Sequence, residues 1–121
     1  MHIDQLRDYC LRKNGVTETF PFNADTLVFK VVGKMFALFP LDKWEAGEGS
    51  VNLKCDPAYA QELRDAYESI TAGWHMSKTH WNTLYLFKNE LSAKLTLELI
   101  DHSYDLVVAG LPKKLKKDLE D

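Results

Sequence analysis

Hydrophobic residues recur along this chain with two different periods, which predicts a mixture of helices and strands. Over residues 3–14 the apolar positions fall every three to four residues, which is one face of a helix. The same spacing returns after Asp56, a residue suited to capping a helix start, and continues until Gly73 breaks the helix. A last, longer helix is predicted from Ser92, as its N-cap, to about Ala109.

Between the first two helices the period changes to two, which is typical of strands. Residues 26–32 and 35–41 are two such runs, and the turn Gly33-Lys34 between them predicts a tight hairpin. Shorter strands are predicted over residues 50–55 and 83–87. The order is helix, three or four strands, helix, strand, helix. It predicts an α+β domain whose antiparallel sheet is covered by helices on one face.

The length of 121 residues and a hydrophobic content of 45% predict a single domain, 1–121, with one core. Residues 112–121 combine lysines with acids and are interpreted as a solvated tail with a frayed helical turn. No run approaches the roughly 20 apolar residues of a membrane span, and the first residues lack the features of a secretion signal. We therefore expect a cytoplasmic protein that does not contact the membrane.

The overall charge bears on which partners the domain can have. Its net charge is −3 and its pI is about 5.8. A dedicated DNA-binding domain is usually basic, with a pI above about 9. The charge therefore argues against strong nonspecific DNA binding, and any contact with DNA must depend on a local cationic patch.

The sequence has no motif for a phosphate loop, a dinucleotide cofactor, a zinc protease or a calcium loop. Asp101-His102-Ser103 lies on the predicted last helix, where consecutive side chains point about 100° apart, so it cannot act as a catalytic triad. His75 and His80 are five residues apart and lack an evident third ligand. Cys10 and Cys55 are interpreted as reduced, partly buried thiols. We predict no catalytic residues, no metal site and no cofactor.

Residues 74–81, Trp-His-Met-Ser-Lys-Thr-His-Trp, fit neither period. Most of these side chains donate hydrogen bonds, and loops of this composition bind anions or stack on bases. The alternative is structural, with both tryptophans capping the open end of the sheet. Lysines in the predicted turn and at a strand end would extend a cationic patch on this loop. The candidate anion-binding residues are Lys34, Lys54, His75, Lys78, His80 and Trp81.

Five blocks, spread in order over about residues 16–114, carry a resemblance to a known family. They are Thr17-Glu18-Thr19-Phe20-Pro21-Phe22, Gly33-Lys34-Met35-Phe36-Ala37-Leu38, Asn52-Leu53-Lys54-Cys55-Asp56-Pro57, His75-Met76-Ser77-Lys78-Thr79-His80-Trp81-Asn82-Thr83 and His102-Ser103-Tyr104-Asp105-Leu106-Val107-Val108. On these blocks the chain resembles the MmcQ/YjbR family of small bacterial proteins.

The resemblance implies a helix-flanked antiparallel sheet similar to that of CyaY, the frataxin-like fold, which agrees with the predicted order of elements. It also implies DNA binding through two wing-like β-hairpins, and it brings no catalytic residues to this chain. Frataxin-like relatives are associated with iron and an acidic first helix. Here that helix has two acids and three bases, Asp4, Asp8, Arg7, Arg12 and Lys13, so no iron site is predicted.

Two hypotheses of function follow. The first is a noncatalytic DNA-binding or regulatory domain whose candidate lysines and histidines form a cationic face flanked by a tryptophan, giving weak, salt-sensitive binding. The second is a binding module for a small anionic metabolite or peptide near the His75–Trp81 loop. Salt separates them, because contacts with a phosphate backbone weaken steeply with salt whereas a largely apolar pocket is less sensitive.

Overall fold

Six strands form one antiparallel sheet, and helices pack on one of its faces. A computed structural model of the protein describes residues 1–74 and 76–120, with the backbone alone at 120. The helices are α1 (Ile3–Leu11), α2 (Leu41–Glu45), α3 (Pro57–Ala66), α4 (Ala93–Ala109) and α5 (Lys113–Glu120). The strands are β1 (Val16–Thr19), β2 (Thr26–Val31), β3 (Lys34–Pro40), β4 (Val51–Lys54), β5 (Ile70–Ala72) and β6 (Trp81–Leu84), in the spatial order β1-β2-β3-β4-β6-β5. The predicted α+β class is confirmed.

The helices α1, α3 and α4 lie against the same face of the sheet, which we call the covered face. Alternate strand residues such as Phe29 and Phe39 point into this face and are fully buried. From the helices, Leu6, Leu63 and Leu99 join the same core and are 0%, 5% and 3% exposed. The helical spacing of hydrophobic residues predicts that these three leucines face the core, and their burial confirms it.

Two other residues that the helical stripes predict to be buried, Tyr67 and Leu106, are only half-buried. For Tyr67 the reason is the end of α3 at Ala66, after which Tyr67 is extended with φ −130°. On α4, Ser103 and Val107 are among the buried positions, and Leu106 lies to the side of them. The prediction was wrong at both positions. At Tyr67 the helix has already ended, and at Leu106 the helix continues but its buried side is centred on Ser103 and Val107.

Side chains cap the two long helices where the sequence predicts their starts. The Asp56 carboxylate accepts a hydrogen bond from the Tyr59 amide at 3.2 Å, ahead of Pro57 in the first turn. The Ser92 hydroxyl accepts one from the Leu95 amide at 3.0 Å. Both caps satisfy amide groups that have no partner within the helix.

The β2–β3 hairpin is confirmed, but it turns at Val32-Gly33, one residue before the predicted Gly33-Lys34. Val31 pairs with Lys34, and the two residues between them have positive φ, 47° at Val32 and 81° at Gly33. Positive φ at both central positions defines a type I′ turn, whose twist matches that of the strands. The conformation is unusual for a β-branched residue. Packing of the Val32 side chain against the core offsets its cost.

Other segments also differ from the sequence prediction, which placed no helix over residues 41–45, where α2 lies. Residues 16–19, assigned to no element, form the edge strand β1, and Ile70, assigned to the helical stripe, begins the other edge strand, β5. The strand predicted over residues 83–87 is β6, shifted to Trp81–Leu84 because the chain enters a short 3-10 helix at Leu86–Lys88. Strands of three or four residues contain too few alternations to reveal their period.

Candidate functional site

Most of the candidate residues lie at one end of the sheet, which we call the hairpin end. The β2–β3 turn is there, and Lys34 follows it directly. Because β4 is antiparallel to β3, Lys54 finishes β4 at this end. Lys54 pairs in turn with Trp81, so β6 begins here and residues 73–80, which carry Lys78 and His80, connect β5 to β6 at the same end. His75 lies outside the described residues.

These residues do not all point to the same side. Met35 packs with residues of the uncovered face, which we call the open face, so strand alternation assigns Lys34 to the covered side. Lys54 and its partner Trp81 are on the open face. So is Lys30, which pairs with Met35 across β2 and β3. Sequence reasoning left Lys30 out of the candidate set, although the alternation along β2 already placed it opposite the core positions.

The open face is free of carboxylates along the strands as the structure describes them. One row of paired positions crosses all six strands and reads Thr19, Val28, Leu38, Asn52, Thr83 and Thr71. A second row, nearer the hairpin end, holds Thr17, Lys30, Met35, Lys54 and Trp81. The strand carboxylate, Glu18, lies on the covered side, where Arg7 donates two hydrogen bonds to it at 2.6 and 2.7 Å. An acidic protein thus has one sheet face whose charged groups are cations.

The centre of the open face is apolar. Val28, Leu38 and Trp81 form a small cluster in which they are 0%, 4% and 9% exposed, with Met35 and Met76 packed against it. Met76 belongs to the segment between β5 and β6, so that segment folds over part of the open face. Trp81 therefore serves mainly in packing, and little of its ring is available for stacking on a ligand.

Backbone hydrogen bonds hold the 73–80 segment to the sheet. The Gly73 amide donates to the Trp81 carbonyl at 2.8 Å, and the Trp74 amide donates to the Thr83 hydroxyl at 3.1 Å. A Cβ atom at Gly73 would lie 2.7 Å from the Trp81 Cβ, so no larger residue fits there. On the other side, the Cys55 amide donates to the His80 carbonyl at 2.8 Å. The segment that carries Lys78 and His80 is consequently fixed at both ends.

Arg64, on α3, is a further anchor of this segment that sequence reasoning missed. Its Nε donates to the Asn82 side-chain oxygen at 2.6 Å. Its Nη2 donates to the carbonyls of Lys78 and Trp81. A guanidinium provides several donors in one rigid plane, which suits it to hold a chain segment at two carbonyls. The helical stripe could not signal this role, because Arg64 is simply a polar residue next to Leu63.

The lysines at the hairpin end form no ion pairs in the part of the chain that the structure describes. Among all the described residues the ion pairs are Arg7–Glu18, Lys13–Asp101 and the weak Lys94–Glu98 pair at 4.0 Å. Lys34, Lys78 and His80 are exposed, and Lys54 is half-buried. Asp56, close to Lys54 in sequence, uses its carboxylate to cap α3. The ammonium groups of Lys34, Lys54 and Lys78 therefore have no ion-pair partner among the carboxylates that the structure describes.

Two cavities bear on the alternative of a small-molecule site. The one that adjoins Lys54 and Asn82 has a volume of about 10 Å³, close to the space of a single water molecule. A larger open groove of about 590 Å³ lies at the opposite end of the sheet, between α1, α2 and the end of β1, with Phe20 and Trp44 in its walls. Neither is a pocket for an anion near Trp81.

The side chains of Asp101-His102-Ser103 turn to three different places, as predicted. Asp101 accepts hydrogen bonds from the Tyr9 hydroxyl and the Lys13 ammonium at 2.6 and 2.5 Å. His102 Nε2 accepts from the Asp56 amide at 3.2 Å. The Ser103 hydroxyl lies between two strands, where it donates to the Phe36 carbonyl and accepts from the Lys54 amide. These contacts are structural, and no triad forms.

Both cysteines are unpaired and buried. Burial raises the pKa of the Cys10 thiol to about 12 and that of Cys55 to about 11, with the neighbouring Asp56 carboxylate contributing at Cys55. Thiols with such values are poor nucleophiles at neutral pH. Among the described residues no three His, Cys, Asp or Glu side chains are grouped to hold a metal ion. Within that same part of the chain, no helix combines the length and apolar character needed to cross a membrane.

Fold and site together define a small α+β domain. Helices cover one face of its antiparallel sheet, and lysines without ion pairs among the described residues lie at one end of it. The chain belongs to the YjbR family, which it matches over residues 11–106. It is 39% identical to YbdF of Escherichia coli O157:H7 over 98 residues, which are 81% of this chain and 77% of that protein. It is 30% identical over 117 residues to YjbR of Escherichia coli K12, covering 97% and 96% of the two chains. The family resemblance drawn from the five blocks is confirmed.

Solved structures share the fold. The crystal structure of DR2400 from Deinococcus radiodurans, with a DUF419 domain, superposes with a TM-score of 0.87 at 38% identity, covering 98% of this chain and 88% of that one. A protein from Pseudomonas syringae superposes with a TM-score of 0.71 at 29% identity, covering 88% and 98%. The two Escherichia coli relatives are described as uncharacterized, so these comparisons give the family and the fold and bring no activity with them.

Proposed function

We propose that this protein is a noncatalytic, cytoplasmic DNA-binding domain of regulatory type that holds the phosphate backbone at the hairpin end of its sheet. Lys34, Lys54 and Lys78 are the principal phosphate contacts, and His80 adds a hydrogen-bond donor beside them. Contacts of this kind position a protein on a duplex without reading its sequence. The expected binding is weak and depends strongly on salt.

The observation that carries the proposal is the absence of ion pairs at these three lysines within the described residues. Lysines paired with carboxylates would have little attraction left for a phosphate. Unpaired lysines gathered at one end of a sheet give a local positive potential even on a protein whose net charge is −3. The carboxylate-free open face strengthens this potential, because Lys30 and Lys54 lie on it with no acid between them.

Two hairpin connections support DNA as the ligand. The β2–β3 turn and the 73–80 segment between β5 and β6 are both at the hairpin end. Lys34 directly follows the first, and Lys78 lies in the second. The family resemblance implies a duplex contact through two wing-like β-hairpins. The alternative of a small anionic ligand near residues 75–81 has no comparable support, since the cavity next to Lys54 has room for about one water.

The test is titration of a fluorescent duplex oligonucleotide at 50 and 200 mM salt with wild type and K34Q/K54Q/K78Q. A matched control, K43Q/K88Q/K94Q, removes the same charge from lysines away from the hairpin end. For three phosphate contacts, wild-type affinity should fall roughly 40-fold between the two salts on their account alone. The affinity of K34Q/K54Q/K78Q should lack this roughly 40-fold fall with salt, whereas K43Q/K88Q/K94Q should show it as wild type does.

The proposal would be refuted if wild type did not bind the duplex at 50 mM salt. It would also be refuted if K34Q/K54Q/K78Q and K43Q/K88Q/K94Q lost the same amount of affinity. A salt-insensitive interaction of a small anion such as inorganic phosphate or citrate, abolished by K54Q/K78Q, would instead support the binding-module alternative. The circular dichroism spectra of all variants should match that of wild type, because each substitution is at an exposed or half-buried lysine.

A further inference from the structure

The C-terminal segment is not the solvated tail that its composition suggests. It forms α5, longer than a single frayed turn, and α5 is seated on the domain. Leu119 packs against the core, and its Cδ2 contacts Gly15 so closely that a Cβ atom there would overlap it. The Asn14 side-chain amide also donates to the Leu119 carbonyl at 3.4 Å. The lysine-rich helix therefore has a defined position.

That position is the hairpin end. Gly15 accepts a hydrogen bond from the Val32 amide at 3.1 Å, and Val32 is the first residue of the β2–β3 turn. Leu119, in contact with Gly15, thus lies beside the turn that leads to Lys34. The C-terminal half of α4, which precedes α5, is also at this end, because its Tyr104 hydroxyl donates a hydrogen bond to the Asn14 carbonyl, next to Gly15, at 2.6 Å.

The two sides of α5 have different chemistry. Leu115 and Leu119, four residues apart on one side, are half-buried. Lys113, Lys114 and Lys117 are exposed, and like Lys34 they form no ion pair with any residue that the structure describes. Docking through Leu119 thus leaves Lys113, Lys114 and Lys117 directed to solvent, whereas Lys116 is half-buried.

We propose that α5 is the outer part of a cationic rim that runs along the hairpin end from α5, beside β1, through Lys34 and Lys54 to Lys78, and that its ligand is an extended polyanion, the phosphate backbone of DNA. Six strands about 4.8 Å apart give this rim a length of roughly 24 Å. That span covers several successive phosphates of one duplex strand and is far longer than a single small anion needs. This inference rests on the proposed DNA-binding function and extends its site.

The leucine contacts favour a polyanion over a membrane surface. A helix that lies in a membrane interface buries its apolar side among the lipids. In α5 that side is already occupied, because Leu119 contacts Gly15 and packs against the core of the domain. The exposed side chains that remain for recognition include three lysines, which bind through charge, and one acid, Asp118.

The test measures how the affinity for duplex DNA depends on salt for wild type and three variants. The α5 variant is K113Q/K114Q/K117Q, and the rim variant, which changes only the rim lysines outside α5, is K34Q/K54Q/K78Q. The matched control is K43Q/K88Q/K94Q. Each variant removes three positive charges. The slope of log affinity against log salt should become less steep by about 3 in the α5 variant, as expected for three phosphate contacts, and should not change in the control. Leu119→Ala, which keeps every lysine but removes the docking contact, should weaken binding several-fold.

The outcomes separate this inference from the proposed function. If the α5 variant behaves as the control while the rim variant loses its slope, the inference fails and the proposed function stands. If only the α5 variant loses its slope, α5 is a DNA contact and the proposed role of the other three lysines fails. Unchanged binding by Leu119→Ala would overturn the requirement for a docked helix. Binding to vesicles of phosphatidylglycerol that needs the α5 lysines, with DNA binding unaffected, would make the partner a membrane and overturn the inference.

Discussion

The hydroxyl of Ser103 accepts a hydrogen bond from the backbone amide of Lys54 at 2.9 Å, and so joins the central helix α4 to the last residue of β4. The same hydroxyl donates to the Phe36 carbonyl at 2.6 Å. Phe36 is the extra residue of β3 where its register with β2 shifts. Beyond Ala37 and Leu53 the two strands are no longer paired, and the serine bridges the backbone groups that would otherwise face each other.

We predict that Ser103→Ala destabilises the protein by about 1–3 kcal/mol. The substitution leaves a buried carbonyl and an amide without partners, and each such group loses its hydrogen bond without regaining water. Urea unfolding followed by tryptophan fluorescence measures the change. Ser77→Ala, the same chemical change at an exposed position, should cost less than about 0.5 kcal/mol. Equal effects of the two substitutions would show that the bridge contributes nothing specific.

Arg64→Lys should loosen the 73–80 segment without changing the charge of the protein. A lysine cannot reproduce the planar donors that reach Asn82, Lys78 and Trp81. We expect hydrogen exchange at the Trp81 amide, which bonds to the Ser77 carbonyl, to accelerate by roughly 10- to 100-fold, the equivalent of about 1.5–3 kcal/mol.

The same Arg64→Lys protein should bind duplex DNA more weakly than wild type, because Lys78 and His80 lose their fixed position. Arg12→Lys, at an exposed arginine, is the control and should change neither measurement. Faster exchange with unaltered DNA affinity would mean that the segment does not contribute to binding.

Alkaline pH should destabilise the protein through its thiols. The folded pKa values of about 12 for Cys10 and about 11 for Cys55 lie above the ordinary value of 9.0, because burial disfavours the thiolate. Stability from this source is therefore complete below about pH 9 and is lost as the pH rises through 11 and 12. Urea midpoints at pH 8, 9, 10 and 11 should decline, and the decline should be shallower in C10A/C55A. An identical decline in both proteins would assign it to other groups, such as Tyr9, whose pKa is raised to about 12 by its hydrogen bond to Asp101.

Much of the fold could be predicted from local patterns because its longest elements satisfy several rules at once. At Ser92 a capping residue, a helical period and a later glycine agree, and α4 starts there. The β2–β3 hairpin was predictable because two alternating runs and a glycine between them agree, but the position of its turn was not. Val32 has to adopt a positive φ for the I′ turn, and no propensity favours a β-branched residue in that conformation.

The candidate site was only partly accessible from the sequence. The positions of Lys34 in a turn and Lys54 at a strand end followed from the predicted strand bounds. Which lysines meet depends on strand order, and β6 lies between β4 and β5. The anchoring role of Arg64 depends on two segments 14 to 18 residues apart, which no local pattern connects. The docking of Leu119 on Gly15 is a contact between opposite ends of the chain, so the composition of the C-terminal segment suggested only a tail.

Both edge strands of this sheet are short, with four residues in β1 and three in β5. An exposed edge offers unpaired amide and carbonyl groups to any other extended chain, and short edge strands are one way in which proteins limit self-association. Here each edge has room for few backbone hydrogen bonds, so extending the sheet with a second copy would gain little. The domain can therefore reach a high local concentration without a tendency to form cross-chain sheets.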